Sequence, residues 1–341
     1  LDRTSQKKCS SLNELEAIRK VNQHMETIRL THPHLLNKSD LPPTVMALGF
    51  FDGVHCGHQE VIETAKRIAK EKNIGCSVMT FDPHPKEVLG IYRDVEPYKY
   101  ITPLEKKIEL IAELGVDRLY IVTFDLALSK LTPQQFVDEF IIGLNVKHVV
   151  AGFDYTYGYM GKGTMETLPF HSRGQFTSTT VEKVADSLEK ISSTRIRLNI
   201  IDGNFQMVKQ WLGRYYEIEG IVVHGEKRGR QIGFPTANVQ LTLPYLLPKT
   251  GVYAVGVTHE GKRYFGVCNL GYKPTFSEGQ TEKTIEVHIF DFHENIYGQT
   301  IKVAFYKFLR AEQKFHSAEE LVKQIENDKQ EAEMFFAKNI F

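Results

Sequence analysis

Two domains of unlike architecture are predicted: an α/β domain built on a doubly wound parallel sheet, then a small antiparallel β-barrel domain with a terminal helix. Three observations predict this. The chain has 341 residues, more than the roughly 100 to 200 of one ordinary domain. From Thr44 to about Asn204, short β-branched runs alternate with amphipathic segments of helical period. After about Trp211, strands rich in Val, Ile, Tyr and Phe follow one another across turns. The expected division is 25–204 and 205–341. Residues 1–24 precede Met25 and are set aside as a leader or extension.

In the first domain "TVMALGF" reads as a buried strand. "QEVIETAKRIAKEK" reads as a helix with Val61, Ile62, Ala65, Ile68 and Ala69 on one face. "GCSVMTF" is the next strand, and "TPLEKKIELIAEL" a helix with Pro103 near its start. Strand "DRLYIVTF", helix "TPQQFVDEFII" with Pro133 placed likewise, and strand "HVVAGF" follow. Helices of this length between strands imply parallel pairing. In the second domain "GVYAVGVTHEGKRYFGVCNLG" and "TIEVHIFDFHENIYGQTIKVAFYKFL" read as antiparallel pairs. The final helix opens with Ser317 and Glu320 at capping-box spacing.

Charge narrows the partners. The 42 basic and 42 acidic residues cancel, which gives no broad field for nucleic acid or membrane and favours small-molecule or protein partners. The 4 cysteines, Cys9, Cys56, Cys76 and Cys268, form no C-x-x-C pair or disulfide framework, as suits a reducing cytoplasm. No apolar run approaches the roughly 18 residues of a membrane span. A soluble, cytoplasmic protein is expected; the oligomeric state is not indicated.

The stretch "GFFDGVHCGHQEVI", Gly49 to Ile62, ends the first predicted strand and starts a helix. In an open parallel sheet, ligands bind beyond the carboxyl ends of the strands. Gly53 and Gly57 permit tight turning and close backbone approach, and the helix start offers N–H donors to a phosphate. Read alone, His55 and His58 fit phosphate contacts, a packed corner or part of a zinc site. No third ligand lies at a familiar spacing for the last of these. "FDPHP" is equally a proline-stiffened turn or a ligand loop, "GFDYTYGYMGKGT" equally packing or a stacking surface, and "HGEKRGRQIGFPTANVQL" equally a solvated turn or a phosphate loop.

The H-x-G-H of "HCGH" resembles that of nucleotidyltransferases. It implies that His55 and His58 stabilise the α-phosphate of ATP during in-line attack, with Gly49, Phe50, Phe51, Asp52 and Gly57 forming the ATP corner. The companion "ISSTRIR" lies at another probable helix start, where Ser193 and Thr194 would hold phosphates and Arg197 would act as a charge clamp. "TFDPHPKEVLG" and the aromatic loop resemble flavin-binding segments of the prokaryotic FAD synthetase module. They imply flavin contacts from Asp82, Pro83, His84, Asp154, Tyr155 and Tyr157, the tyrosines replacing phenylalanines yet keeping an aromatic surface.

In the second half, Gly225, Gly229 and Gly233 with Lys227, Arg228 and Arg230 make a flexible basic loop. "GFPTAN" resembles the G-x-P-T-A-N motif of riboflavin kinases. That resemblance implies Mg²⁺ and nucleotide phosphate held by Thr236 and Asn238, ATP or flavin contacts from Pro235 just before them and from Gly225, Gly229 and Gly233, and Glu286 as general base. Pattern alone makes Glu286 an outward-facing strand residue. "NLGYKPTF" and "FLRAEQKF" imply further ATP and flavin contacts, including Asn269 and Arg310.

The motifs run in order from about Met25 to the C-terminus and resemble the bifunctional prokaryotic riboflavin kinase/FAD synthetase family. The implied activities are phosphorylation of riboflavin to FMN and adenylylation of FMN to FAD, with ATP as co-substrate and riboflavin, FMN, FAD and ATP as ligands. Two alternatives stay open. One module could be inactive and regulatory, or the chain could be a non-enzymatic flavin or nucleotide sensor. Cys56, where the family is often apolar, is expected to sensitise the first site to thiol reagents.

Overall fold

The computed structural model describes residues 25–90, 98–182, 185–186, 189–225, 229, 232–274 and 281–339. The expected leader 1–24 and the basic side chains Lys227, Arg228 and Arg230 lie outside them. The described residues fall into two compact units. The first runs to Ser192 apart from Lys99–Ile101; the second contains those residues and Ser193 onward.

The first unit is built on a six-stranded parallel sheet. Its strands are β1 (Glu26–Leu30), β2 (Thr44–Leu48), β3 (Gly75–Asp82), β4 (Arg118–Thr123), β5 (Val146–Gly152) and β6 (Thr177–Val181). The spatial order is β1-β4-β3-β2-β5-β6. From β2 the chain moves first to one side, to β3 and β4, and then to β5 on the other. The carboxyl end of β2 is therefore the point at which the winding reverses, where doubly wound sheets form their ligand crevice.

The inner strands are apolar on both faces because both are covered. Met46, Leu48, Tyr120, Val122, Val149 and Ala151 enter one core. Val45, Ala47, Leu119, Ile121 and Val150 enter the other. Strands buried on two sides lose the polar alternation of one-sided sheets. β1 and β6 are edge strands that the sequence reading left out. Their segments, ETIRL and TSTTV, are largely exposed or half-buried and carry no apolar run.

Helix α1 (Cys56–Lys72) buries the five predicted apolar residues and also Thr64. It starts before the predicted Gln59 because His55 caps it, and it ends at Asn73 in the left-handed region (φ 53). Helix α2 (Leu104–Glu113) has Pro103 at its N-cap. Helix α3 (Pro133–Val137) opens on a capping box between Thr132 and Gln135. The segment predicted as one α-helix then widens into a π-turn over Asp138–Ile142.

In the second unit two helices, α4 (Ser193–Asp202) and α5 (Phe205–Leu212), precede a closed antiparallel barrel. Its strands are β7 (Tyr216–Val223), β8 (Ala237–Leu241), β9 (Gly251–His259), β10 (Lys262–Pro274), β11 (Thr281–Ile289) and β12 (Thr300–Arg310), in the order β7-β8-β11-β10-β9-β12. β12 closes the wall by pairing with β7. Tyr216, Ile218 and Val222 alternate inward along β7. The terminal helix α6 (Ala318–Asn339) packs Ala332 and Phe336 against Phe265 and Tyr306. Ser317 caps it by accepting from the Glu320 amide at 3.2 Å. The Glu320 carboxylate reaches back to the His316 amide at 3.0 Å, one residue beyond the reciprocal box.

Candidate active sites

The first site is the corner after β2. Phe51 (φ 56) and Val54 (φ 39) occupy the left-handed region that only glycine enters freely, and Gly53 (φ 91) lies between them. Such backbone persists only where its surroundings over-determine it, and here they do. Phe51 and Val54 are 1 % exposed. A Cβ on Gly49 would lie 2.7 Å from the Phe51 ring. The Asp52 carboxylate accepts from the Thr102 amide at 3.0 Å, while the Gly53 amide donates to the Thr102 hydroxyl at 2.8 Å. Asp52, expected to touch ATP, is buried and shapes the turn.

His55 is the N-cap of α1. Its Nδ1 accepts from the His58 amide at 3.2 Å, which fixes the neutral tautomer with the proton on Nε2. The two imidazoles stack at 3.5 Å between centroids, and His58 meets the Phe51 ring edge-on at 5.2 Å. Gly57 falls in the same first helical turn. Two imidazoles thus share a helix start with its positive dipole end, an arrangement that stabilises a phosphate. Among the described residues no group of three His, Cys, Asp or Glu is placed to hold a metal.

The Asp82-Pro83-His84 segment leaves the end of β3 beside this corner. Its His84 ring lies 4.2 Å from Phe50 and stacks on Tyr98 at 4.3 Å. His84 Nδ1 accepts from the Lys86 amide at 3.0 Å. Burial pushes the Asp82 carboxyl above its ordinary range, against the pull of Lys107. In the loop after β5, Asp154 is exposed and Tyr155 half-buried. The Tyr155 hydroxyl is buried without a hydrogen-bond partner among the described residues, and burial raises its ionisation well above the usual phenol range. Tyr157 departs from the expected stacking surface: it is a core residue, 4 % exposed, with its hydroxyl 2.8 Å from His171 Nδ1. Its ring fills the space over Gly163, where a Cβ would lie 2.4 Å away. Of the two tyrosines expected to stack on a ligand, Tyr155 is the less buried.

Three residues of this corner escaped the sequence reading: Thr80, Thr102 and Lys107. Only Lys107 left a signal, a lysine on the apolar face of α2, one turn from Leu110 and Ile111. Ser193 and Thr194 open α4, with Arg197 one turn on; that helix belongs to the second unit.

The second site lies on the barrel wall. Asn238 of β8 pairs in register with Glu286 of β11, and Glu286 in turn with Asn269 of β10. Directly opposed residues share a face, so an amide, a carboxylate and an amide form one row across three strands. Glu286 alternates with buried Ile285 and Val287, which places the row on the outer face. A Cβ on Gly225 would lie 2.2 Å from the Asn238 amide nitrogen. The Gly229 carbonyl accepts from the Phe234 amide at 2.8 Å, Gly233 turns at φ 88, and the Pro235 carbonyl lies 2.8 Å from His288 Nδ1. The loop leading to Thr236 and Asn238 is thereby tied to the strand that carries Glu286.

Arg310 is placed otherwise than expected. Its Nε and Nη2 each lie 2.8 Å from the Asp328 carboxylate, and Nη1 donates to the Ala311 carbonyl at 3.0 Å. The guanidinium fastens α6 to β12.

A doubly wound sheet whose central strand ends in a histidine-bearing helix start is the setting expected for the H-x-G-H motif, and the FAD synthetase family model matching residues 37–195 puts the first unit in the nucleotidyltransferase class. The chain is 54% identical over 314 residues to the bifunctional riboflavin kinase/FMN adenylyltransferase of Bacillus subtilis, covering 92% of this chain and 99% of that one. It belongs to the bifunctional riboflavin kinase/FMN adenylyltransferase family. The Listeria monocytogenes relative is 48% identical over the same shares, and the Escherichia coli relative 35% identical over 89% of this chain and 96% of that one. The riboflavin kinase family model matches residues 212–336. A crystal structure described as a macrolide-efflux protein from Streptococcus pneumoniae superposes with a TM-score of 0.80 at 36% identity, covering 92% of this chain and 99% of that one. Among the described residues of this chain no helix is long and apolar enough to cross a membrane.

Proposed function

We infer that the chain catalyses two successive transfers from ATP: riboflavin to FMN with release of ADP, then FMN to FAD with release of pyrophosphate. The observation that carries this reading is the presence of two separate constellations on one chain, the stacked His55–His58 pair at a helix start and the Asn238–Glu286–Asn269 row on a barrel wall. Adenylyl transfer is assigned to 25–204 and the kinase to 205–341.

In the kinase, Glu286 accepts the proton of the riboflavin 5′-hydroxyl as its oxygen attacks the γ-phosphate, a role for a carboxylate fixed on a strand. Thr236 and Asn238 supply neutral hard oxygens, a donor set that fits Mg²⁺ retaining waters and phosphate oxygens. Any Cβ at position 225 would intrude on the Asn238 amide, one of these donors. When bound, Mg²⁺ neutralises charge on the nucleotide phosphates. In the adenylyltransferase, the FMN phosphate is already anionic and needs no strong base, so His55 and His58 serve as donors to the charge at the α-phosphate. Ser193, Thr194 and Arg197 are assigned to the ATP phosphates on motif resemblance alone. The flavin is assigned to the Asp82-Pro83-His84 segment, Asp154 and Tyr155. The scattered cysteines favour the cytoplasm.

The test supplies riboflavin, ATP and Mg²⁺ and follows FMN and FAD by chromatography. His58→Ala should abolish FAD while FMN still forms; Glu286→Ala should abolish FMN while supplied FMN is still converted to FAD. Equal loss of both products in either variant would overturn the assignment of independent sites.

A further inference from the structure

Lys107 is 2 % exposed, and neither transfer as described above uses it. It sits in the first turns of α2, directed into the carboxyl end of the sheet. Its Nζ donates to the Phe50 carbonyl at 2.9 Å and to the Thr80 hydroxyl at 3.3 Å, and lies 4.1 Å from the centre of the Phe50 ring. Thr80 itself donates to the same Phe50 carbonyl at 2.8 Å. One ammonium thus joins the corner after β2 to the end of β3, where the Asp82-Pro83-His84 segment begins. The Phe50 ring continues the connection to His84.

The charges around it explain why a lysine is there. Asp52 on the corner and Asp82 at the end of β3 both act on Lys107, and Arg29 and Glu105 act in turn on Asp82. Two carboxylates beneath a site for polyphosphate and flavin phosphate would repel both substrates. A cation between them offsets that repulsion, and in a poorly solvated pocket its reach exceeds what it would be in water.

We propose that Lys107 is a positioning residue of the adenylyltransferase, joining the ATP corner to the flavin segment and screening Asp52 and Asp82 from the phosphates of both substrates. This rests on the assignment of adenylyl transfer to the first unit. A purely structural lysine would be replaceable with a loss of folded protein; a screening lysine leaves its mark on the affinity for anions. The surroundings also make the charge titratable near neutrality. Burial lowers the Lys107 ammonium from 10.5 to about 8, with Asp52 and then Asp82 opposing the fall. The substrate phosphates have completed their own ionisation by about pH 7, so a loss of activity through pH 8 reports the lysine.

The experiment compares the full chain with Lys107→Gln, which keeps a neutral donor, and Lys107→Met, which keeps neither donor nor charge. Hydrogen exchange along β2, β3 and α2 serves as the measure of an intact first unit, and FMN formation from riboflavin in the same samples as the measure of the second. The expected result is a KM for ATP and for FMN raised roughly ten- to thirty-fold in FAD synthesis by either variant, with FMN formation unchanged and a further fall in kcat in Lys107→Met alone. In the unsubstituted chain kcat/KM for FAD synthesis should decline as pH rises through about 8, because the screening charge is present below that value and lost above it. The decline should be absent from both variants. Unchanged KM values in the variants, or no alkaline decline in the unsubstituted chain, would overturn the proposal while leaving the adenylyltransferase assignment intact. An unsubstituted chain that makes no FAD from FMN would remove that assignment and the proposal with it.

Discussion

Replacing Asp328 by Ala should separate a structural arginine from a ligand-binding one. Asp328 is the buried partner of Arg310, with side chains 5% and 17% exposed, and it accepts at 2.8 Å from both Nε and Nη2 and at 2.9 Å from Gln324. Removal strands a guanidinium at the junction of β12 and α6. Breaking one side of a buried pair costs about 3–5 kcal/mol, which for a unit of this size corresponds to a fall in Tm of roughly 10 °C. The assay is thermal unfolding of the full chain, with hydrogen exchange along Ala318–Asn339 showing where the loss falls. FMN formation should weaken and FAD formation from supplied FMN should persist. Asp328→Leu combined with Arg310→Met replaces the pair by apolar groups, so most of the stability should return, and FMN formation with it. An unchanged Tm in Asp328→Ala would refute the assigned strength of the pair. A double variant that regains stability but makes no FMN would show that Arg310 touches substrate after all.

Three further outcomes follow from the packing and the thiols. Gly225→Ala should lower FMN formation by at least about tenfold in steady-state assays and leave FAD synthesis alone, because the new Cβ meets the Asn238 amide at 2.2 Å and displaces a phosphate-side donor. Gly163→Ala should destabilise the first unit by about 1–3 kcal/mol in urea unfolding, since the methyl enters the Tyr157 ring in a filled core. Brief treatment of the native protein with iodoacetamide should modify Cys56 ahead of Cys76 and Cys268, read by peptide mass spectrometry. Cys56 is half-buried, whereas burial pushes the Cys76 thiol up to about 12 and Cys268 higher still. Thiolate is the reactive form. FAD synthesis should fall with that modification while FMN formation holds; full FAD synthesis after complete labelling of Cys56 would refute its placement at the site.

The sequence by itself determined what depends on local pattern and on residue type. Two-sided burial made β2 to β5 continuous apolar runs, and helical period located the buried face of α1, so the doubly wound sheet could be read before any contact was known. Short strands rich in Val, Ile, Tyr and Phe that follow one another across turns did the same for the barrel. His55, His58, Thr236, Asn238 and Glu286 could be named because the motifs around them resemble those of a known family; pattern alone left Glu286 an outward-facing strand residue. The tertiary structure decided what depends on neighbours far apart in the chain. The edge strands ETIRL and TSTTV carry no burial signal and exist through pairing with β4 and β5. Tyr157 and Tyr155 look alike in one loop, yet Gly163 and His171 take the first into the core. Arg310 reads as one basic residue of a motif, and only the fold pairs it with Asp328 on another element. Lys107 reads as one charge on a helix, and only the folded sheet encloses it with Asp52, Thr80 and Asp82. A side chain's role follows from the free energy of the site it occupies, and for these residues that site is assembled from strands and helices that local sequence does not connect.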